Sequence, residues 1–227
     1  MEYASSRLIP DHGLASAKRP RPWSSAMPTQ SLPLPRPEAP ANDSLIEALA
    51  ARRSVRRYTP GGVCLAEVSL LLYSAQGATH PKGFRCVPSA GALFPLELFL
   101  ISGECPELDP GVYRYIPQEH ALQATAQGDK RGDVAAACLN QAWMAQAQIM
   151  IGVCAVYSRI TDRYGQRGEQ YVHMEVGAAG QDIGLAAAAM GLGTVMVGAF
   201  NDVSVQQVLG ARGEEHPLLI MPVGRME

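Results

Sequence analysis

An arginine-rich segment is the first feature of the sequence whose residue types are suited to chemistry. It contains Arg52, Arg53, Ser54, Arg56 and Arg57. Guanidinium groups donate paired hydrogen bonds to phosphate oxygens, and a serine hydroxyl adds another donor, so the pattern is typical of a phosphate-binding site. A second interpretation stays open, because the segment follows an apolar stretch with helical spacing. The cations would then only complement the negative carboxyl end of that helix.

A loop of small residues at 87–95 is the second candidate. It contains Pro88, Ser89 and Gly91 and leads into an apolar run. Small side chains let backbone amides approach a flat ligand closely, which favours a ligand-binding loop. The alternative is an ordinary turn before a strand.

Two later segments add glycines and a further arginine. Residues 191–200 are glycine-spaced but follow a helical pattern, so they lack the strand–GxGxxG–helix order of a dinucleotide fold. Residues 222–225 bring one more arginine close to the end of the chain. No Ser/His/Asp order, HExxH or P-loop pattern stands out, and the five cysteines form no CxxC motif. We therefore predict no metal site.

The elements that would position these segments follow from apolar periodicity and turn residues. A capping box from Ser44 to Glu47 predicts a helix that runs toward the arginines. Further helices are predicted at 65–76, 133–148 and 168–190, and strands at 94–101, 112–115, 121–124, 149–156, 194–197 and 218–223. Helices and strands mix without a strict βαβ repeat, which predicts an α+β fold.

Residues 1–42 differ from the rest of the chain because eight prolines are spread along them. Proline fixes φ and lacks an N–H donor, so we predict an extended arm that precedes one domain at 43–227. The arm is either a disordered tail or a segment that wraps a partner subunit, anchored by Trp23, Leu32 and Leu34. The Ala- and Gly-rich helix at 168–190 leaves a similar choice between a buried core helix and a subunit interface.

The composition argues against several classes of protein. A net charge of −2 gives no field that attracts nucleic acid or an anionic membrane, and we predict neither as a partner. No uncharged apolar run reaches the roughly 18 residues that a membrane span needs. Residues 1–40 lack the charged-then-apolar order of a signal peptide. We therefore expect a cytoplasmic protein.

Taken in this order, the segments resemble the nitroreductase superfamily, and more closely its SagB/thiazole–oxazole oxidase-type dehydrogenase branch. The resemblance covers about residue 43 to the end of the chain. It is most specific in Pro-Ser-Ala-Gly-Ala-Leu at 88–93 and Tyr-Gly-Gln-Arg-Gly at 164–168. The other matching stretches are 52–56, 111–113, 175–177, 191–193, 198–200 and 222–225.

The resemblance implies a fold, a cofactor and an assembly. The fold is a nitroreductase-like mixed sheet surrounded by helices, in an intertwined homodimer with FMN at the subunit interface. The enzyme is implied to be an FMN-dependent oxidoreductase that transfers hydride through the flavin, on a small-molecule or peptide-derived substrate. NAD(P)H is a further candidate as the electron donor.

The resemblance also implies which residues bind FMN. The phosphate and ribityl chain would be held by Arg52, Arg53, Ser54, Arg56 and Arg225. The flavin ring would be lined, from the other subunit, by Pro88, Ser89 and Gly91 and covered near its reactive edge by Val197, Gly198 and Ala199. Among these, Arg56 is the candidate for stabilising the anionic reduced ring.

A catalytic pair is implied at Arg163 and Tyr164, where azoline-oxidising members have a Lys-Tyr pair linked to substrate deprotonation. Arginine stays protonated and cannot act as a base, whereas the Tyr164 hydroxyl can act as an acid or a base. Two more departures from the branch are Gln-Tyr at 170–171 and Gln-Asp at 181–182. These departures weigh against azoline oxidation. An NAD(P)H-dependent nitro or quinone reductase and a non-catalytic flavin-binding dimer therefore stay open as alternatives.

Overall fold

A seven-stranded sheet forms the centre of the chain in the computed structural model, which describes residues 31–38 and 45–226. The strands are β1 (Leu32–Pro33), β2 (Leu96–Ser102), β3 (Gly111–Ile116), β4 (Ala121–Gln127), β5 (Ile149–Ala155), β6 (Leu192–Thr194) and β7 (His216–Arg225). They lie in the order β1-β4-β3-β2-β5-β7-β6. The strand ladders are antiparallel, and an isolated parallel bridge between Ser54 and Thr194 makes the sheet mixed at its β6 edge.

Helices cover both faces of the sheet. They are α1 (Leu45–Ala51), α2 (Leu65–Gln76), α3 (Arg131–Ala137), α4 (Ser158–Tyr164), α5 (Arg167–Ala189) and α6 (Asp202–Leu209). Short 3-10 turns occupy Ala90–Ala92 and Ala142–Gln146. The predicted α+β class, with a central mixed sheet surrounded by helices, is confirmed.

The central strands are buried on both faces, which explains their continuous apolar runs. In β2, Leu98 and Leu100 pack into the core that includes α2 and α5. Phe99 and Ile101 alternate with them and pack into a second core with α3 and α6. Full burial of each such side chain contributes about 1.5–3 kcal/mol to the free energy of unfolding. The sheet therefore fixes α5, the longest helix, against one face.

The prediction for residues 133–148 was wrong. A single helix was expected there, but α3 ends at Ala137 and a 3-10 turn follows. The break occurs because Leu139 and Asn140 adopt φ values of +56° and +58°, which lie outside the right-handed helical region. By contrast, the helix predicted at 65–76 coincides with α2 and the one at 168–190 with α5 to within one residue at each end.

Helices α4 and α6 were not predicted, although α6 carries local signals at both ends. The Asn201 side chain accepts a hydrogen bond from the Ser204 amide at 2.9 Å, as an N-cap does. Gly210 ends the helix in the left-handed conformation with φ +62°. For α1, the predicted capping residue Ser44 lies outside the described residues.

The described part of the N-terminal arm lies against its own chain. Strand β1 pairs with β4, with Leu32 opposite Leu122. Leu34 is only 8% exposed and belongs to the core, and its amide donates to the His120 carbonyl at 2.8 Å. Leu34 is thus an anchor within one chain, while Trp23 lies outside the described residues. The division of the chain at residue 42 stays a prediction.

Candidate functional site

The arginine segment, residues 52–56, runs between α1 and the edge strand β6. The Val55 amide donates to the Thr194 carbonyl at 3.0 Å, and Ser54 forms the parallel bridge to the same residue. Gly193 leaves room for Val55, since a Cβ at position 193 would come within 2.7 Å of the valine side chain. The backbone of the segment is therefore fixed, while the side chains of Arg53, Ser54 and Arg56 are exposed.

The guanidinium groups of the segment have different surroundings. The Arg52 side chain lies against α5, where a Cβ at Gly184 would come within 3.3 Å of its Cδ. Arg53 Nη1 donates to the Ala50 and Arg52 carbonyls, each at 2.8 Å, and so caps the end of α1. Arg56 lies 6.0 Å from the centre of the Trp143 ring. Among residues 31–38 and 45–226, no acidic side chain forms an ion pair with Arg52 or Arg56.

The small-residue loop, residues 87–95, has an unusual backbone. Gly91, Ala92 and Phe94 have φ values of +62°, +55° and +48°, and two of these are not glycines. Left-handed φ values cost free energy in residues with a Cβ, so the surrounding structure must hold them. One such contact is visible, because Ser89 Oγ accepts a hydrogen bond from the Phe94 amide at 2.9 Å.

The predicted catalytic pair lies beside this loop. A Cβ at Gly91 would come within 2.8 Å of the Tyr164 hydroxyl and 3.0 Å of Arg163 Nη1. Tyr164 is the last residue of α4, and its ring packs at right angles to that of Tyr171, with 5.3 Å between centres. Arg163 lies 5.4 Å from the Tyr164 ring. One chain therefore brings together the predicted ring-lining loop and both candidate catalytic residues.

Three polar residues that received no role in the sequence analysis lie on the inner side of the loop. Glu175 of α5 is 4% exposed, and burial raises the pKa of its carboxyl to about 7, against the lowering effects of Ser89 and Arg85. Arg85 Nη1 donates to Gln76 Oε1 at the end of α2, and its guanidinium lies 4.5 Å from the Phe94 ring. The sequence carries one signal for Glu175, because it is an acidic residue on the inward face of an Ala- and Gly-rich helix, four residues after Tyr171.

The arginine segment and the small-residue loop contact opposite faces of α5. Their contact points on this helix are Gly184 and Glu175, nine residues apart. Nine residues of an α-helix rise about 13 Å and rotate through two and a half turns, so the two side-chain directions oppose each other. The cavity at the arginine segment has a volume of about 70 Å³, whereas pockets for ligands of cofactor size occupy about 300–1,000 Å³. One chain thus presents two separated candidate half-sites.

Residues 197–199 lie on the same face of α5 as the arginine segment. Val197 exchanges backbone hydrogen bonds with Ile220 at 2.8 and 2.9 Å, and the preceding Met196 packs against Gly180 of α5. Gly198 is exposed, and a Cβ there would meet no atom within 4 Å. The Ala199 carbonyl accepts a hydrogen bond from Gln141 at 3.4 Å. We therefore group this segment with the arginines as the first candidate half-site, and the loop with Arg163 and Tyr164 as the second.

Arg225 is engaged with its own chain. Its guanidinium donates two hydrogen bonds of 2.8 Å to the Glu67 carboxylate and others to the Gly62 carbonyl. Its carbonyl accepts from the Thr59 amide at 3.0 Å, which anchors the chain after the arginine segment. Its side chain therefore already has a carboxylate partner, and its role toward a phosphate stays a prediction.

The described residues contain neither a cluster of metal ligands nor a membrane-spanning helix. Within 31–38 and 45–226, no group of three or more His, Cys, Asp or Glu side chains is arranged to hold a metal ion. None of the helices in these ranges combines the length and the apolar character needed to cross a bilayer.

The nitroreductase family model matches residues 49–225, which include both half-sites. The chain belongs to the nitroreductase family. Members of this family are oxidoreductases and are typically FMN-dependent. The nitroreductase-like fold and the oxidoreductase class predicted from the sequence are thereby confirmed.

One relative supports this assignment, and two solved structures share the fold. A protein of Methanocaldococcus jannaschii that is named as a nitroreductase is 43% identical over 181 residues, which are 80% of this chain and 90% of that protein. A Ralstonia eutropha protein described as a nitroreductase has the same fold, with a TM-score of 0.75 and 23% identity over 89% of this chain and 93% of that chain. The Escherichia coli microcin synthetase complex McbBCD, with truncated pro-MccB17 bound, also shares it, with a TM-score of 0.65 and 22% identity over 75% of this chain and 67% of that chain.

Proposed function

We propose that the protein is a homodimeric FMN-dependent dehydrogenase of the SagB type, in which two chains share each FMN site. The observation that carries this proposal is the separation of the two half-sites on opposite faces of α5. In the proposed dimer, a flavin that contacts both the arginine segment and the small-residue loop takes them from different chains. Residues 43–227 would form the FMN-binding domain, and residues 1–42 the arm that precedes it.

Exposed apolar side chains on α1 and α5 support the dimer. Leu45, Ile46 and Leu49 of α1 are 61%, 73% and 46% exposed, and Met174 of α5 is 62% exposed. Helix α1 packs on α5. Large apolar side chains that stay exposed on both helices favour a protein–protein contact there. A second copy of the chain is the partner that would also complete the two half-sites.

The residues of the two half-sites fit the parts of FMN. Arg52, Ser54 and Arg56 offer charged and neutral donors for the phosphate. Arg53 and Arg225 would join them by exchanging their present carbonyl and carboxylate partners. Gly91 and Gly198 offer backbone without side-chain bulk where a flat ring must lie. FMN, when bound, supplies two-electron oxidation–reduction chemistry.

Arg163 and Tyr164 would act on the substrate side of the second half-site. The Arg163 guanidinium is permanently charged, so it can orient a polar or anionic substrate but cannot remove a proton. The Tyr164 hydroxyl, beside Gly91, would hold or move a proton. This division of roles differs from that of a Lys-Tyr pair.

The substrate class that we favour is a heterocycle or related group in a peptide or a small metabolite. Support comes from the motifs at 88–93 and 164–168 and from the fold shared with a peptide-bound microcin synthetase. The second candidate is an NAD(P)H-dependent nitro or quinone reductase. The M. jannaschii relative and Arg163 in place of lysine favour it.

Absorption spectroscopy combined with light scattering tests the proposal. The purified full chain should be a yellow dimer with about one FMN per chain, since each dimer contains two shared sites. A monomer that holds FMN, or a dimer that fails to bind added FMN, would overturn it. Rapid bleaching of the flavin by NADPH would favour the nitro or quinone reductase. Turnover with an azoline peptide would favour the dehydrogenase. Bound flavin that turns over with neither would indicate a non-catalytic dimer.

A further inference from the structure

The buried carboxyl of Glu175 has incomplete hydrogen bonding. Within the described parts of the chain, its Oε1 atom has no hydrogen-bond partner of standard geometry. The same holds for Gln76 Nε2 and Arg85 Nε, which belong to the two groups beside it. Buried polar atoms are nearly always paired in folded proteins, so an acceptor and two donors left unpaired at one place call for an explanation.

The position of Glu175 links it to the second half-site. Ser89 lies close enough to the carboxyl to lower its pKa, and Ser89 Oγ also accepts the Phe94 amide. Two residues further along the loop, Gly91 faces the Tyr164 hydroxyl. Glu175 therefore lies beside Ser89 of the loop, and Gly91 of the same loop lies beside the candidate catalytic pair.

We propose that Glu175 is a positioning residue that holds the small-residue loop in place while its carboxyl carries a proton, and releases the loop when the carboxyl ionises. This inference rests on the proposed function for its consequence in catalysis, but the loop movement itself does not require a flavin. The Ser89 hydroxyl and the Gln76 amide favour the ionised carboxyl, so the desolvation of Glu175 by burial is what favours the protonated form. A carboxylate sealed under the loop lacks the water that would stabilise its charge.

The direction of the effect follows from proton linkage. Burial raises the carboxyl pKa from 4.5 to about 7 in the closed structure. An opened loop exposes the carboxyl and returns its pKa toward the lower value. The closed form therefore binds the proton more tightly, and opening becomes easier as pH rises through about 7.

Other charged groups near the loop also shift the pKa values of their neighbours. The Arg85 guanidinium favours the ionised form of the Glu175 carboxyl. Arg85 also interacts electrostatically with Glu97, Arg159 and Tyr115. Burial raises the pKa of the Asp182 carboxyl, further along α5. Burial and the negative charge of Asp182 also raise the pKa of the Cys86 thiol. Asp182 is therefore the control acid, since it lies near Cys86, the residue before the loop, and seven residues from Glu175 along α5.

Amide hydrogen exchange of the loop tests the inference without a flavin. After correction for intrinsic exchange, protection of the Phe94 amide in the wild-type apoprotein should fall by up to about tenfold between pH 6 and 8. Glu175→Gln, a neutral residue of the same shape, should keep high protection at both values. Asp182→Asn should retain the wild-type pH dependence. Equal protection of Phe94 at both pH values in the wild type, or an unchanged slope in Glu175→Gln, would overturn the proposal.

FMN affinity provides the second readout and separates the two proposals. If both hold, FMN should dissociate more readily from the wild type at pH 8 than at pH 6, and Glu175→Gln should lose this difference. If no FMN binds at either pH, the proposed function fails while the exchange result still decides the role of Glu175. If FMN binds with one affinity across this range, the inference fails and the proposed function stands.

Discussion

The two faces of α5 carry candidate half-sites of different construction. On the Gly184 face, exposed arginines project from a backbone that is fixed to β6. On the Glu175 face, buried polar groups support a loop with three left-handed residues. Exposed guanidinium groups can attract an anion from several directions. A loop with strained backbone and buried contacts, by contrast, is restricted to one conformation. We therefore expect cofactor affinity to depend mainly on the first face and turnover mainly on the second.

The largest expected effect concerns the second face alone. Tyr164→Phe should reduce turnover by about 10²–10⁴-fold, the usual range for loss of a general acid or base, while FMN stays bound. Tyr171→Phe is the matched control, because it also removes one hydroxyl and leaves the ring contact of 5.3 Å intact. Steady-state kinetics and flavin absorbance measure both quantities. Wild-type turnover in Tyr164→Phe would remove this residue from the mechanism.

The next effect concerns the first face. Arg52→Ala and Arg56→Ala should each weaken FMN binding by about 1.5–3 kcal/mol, the contribution of a hydrogen bond to a charged group. Arg57→Ala removes an equal charge from the same stretch and should change affinity much less. Fluorescence titration with FMN gives the dissociation constants. If the flavin binds all three variants as tightly as the wild type, the phosphate lies elsewhere.

The pH dependence of protein stability should reveal the titration of Glu175, the buried acid of the second face. The pKa of Glu175 is raised by burial from 4.5 to about 7, so its contribution to the free energy of unfolding is fully present below 4.5 and is lost as pH rises through about 7. From pH 5 to 8 this loss should reach about 2–3 kcal/mol in the apoprotein. Denaturant unfolding of the wild type and Glu175→Gln measures it. Parallel pH profiles for the two proteins would contradict the prediction.

The smallest expected effect separates backbone strain from contact with the catalytic pair. Gly91→Ala and Gly83→Ala both place a Cβ at positive φ, with values of +62° and +81°, and each should cost about 1–2 kcal/mol of stability. Only at position 91 would the Cβ meet Tyr164 and Arg163, at 2.8 and 3.0 Å. Turnover should therefore fall several-fold only in Gly91→Ala. An equal loss in Gly83→Ala would show that strain alone explains it.

The sequence predicted the elements whose apolar spacing is regular. Helix α2 was predicted at its observed bounds, and β5 to within one residue, because each has a complete periodic pattern. The break at Leu139 and Asn140 could not be predicted in this way, because no glycine or proline marks the two left-handed residues. There the packing of α3 and the following turn overrides local propensity.

The sequence also predicted both candidate half-sites by residue type, but it did not show their arrangement. The arginine segment and the small-residue loop are each contiguous, so each could be recognised. Their placement on opposite faces of α5 depends on how that helix packs. The pairing of Arg225 with Glu67 joins residues 158 positions apart. The cluster of Gln76, Arg85 and Glu175 likewise requires three elements to meet, which no local pattern records.

A heterodimer with one defect on each face tests the central claim most directly. One chain would carry Arg52→Ala and Arg56→Ala, and the other Tyr164→Phe, with two different tags used to purify the mixed dimer. If each site takes its arginines from one chain and its loop from the other, one of the two sites is fully wild-type. The mixed dimer should then show about half of the wild-type activity. Activity no higher than that of the two mutant homodimers would show that each site lies within a single chain.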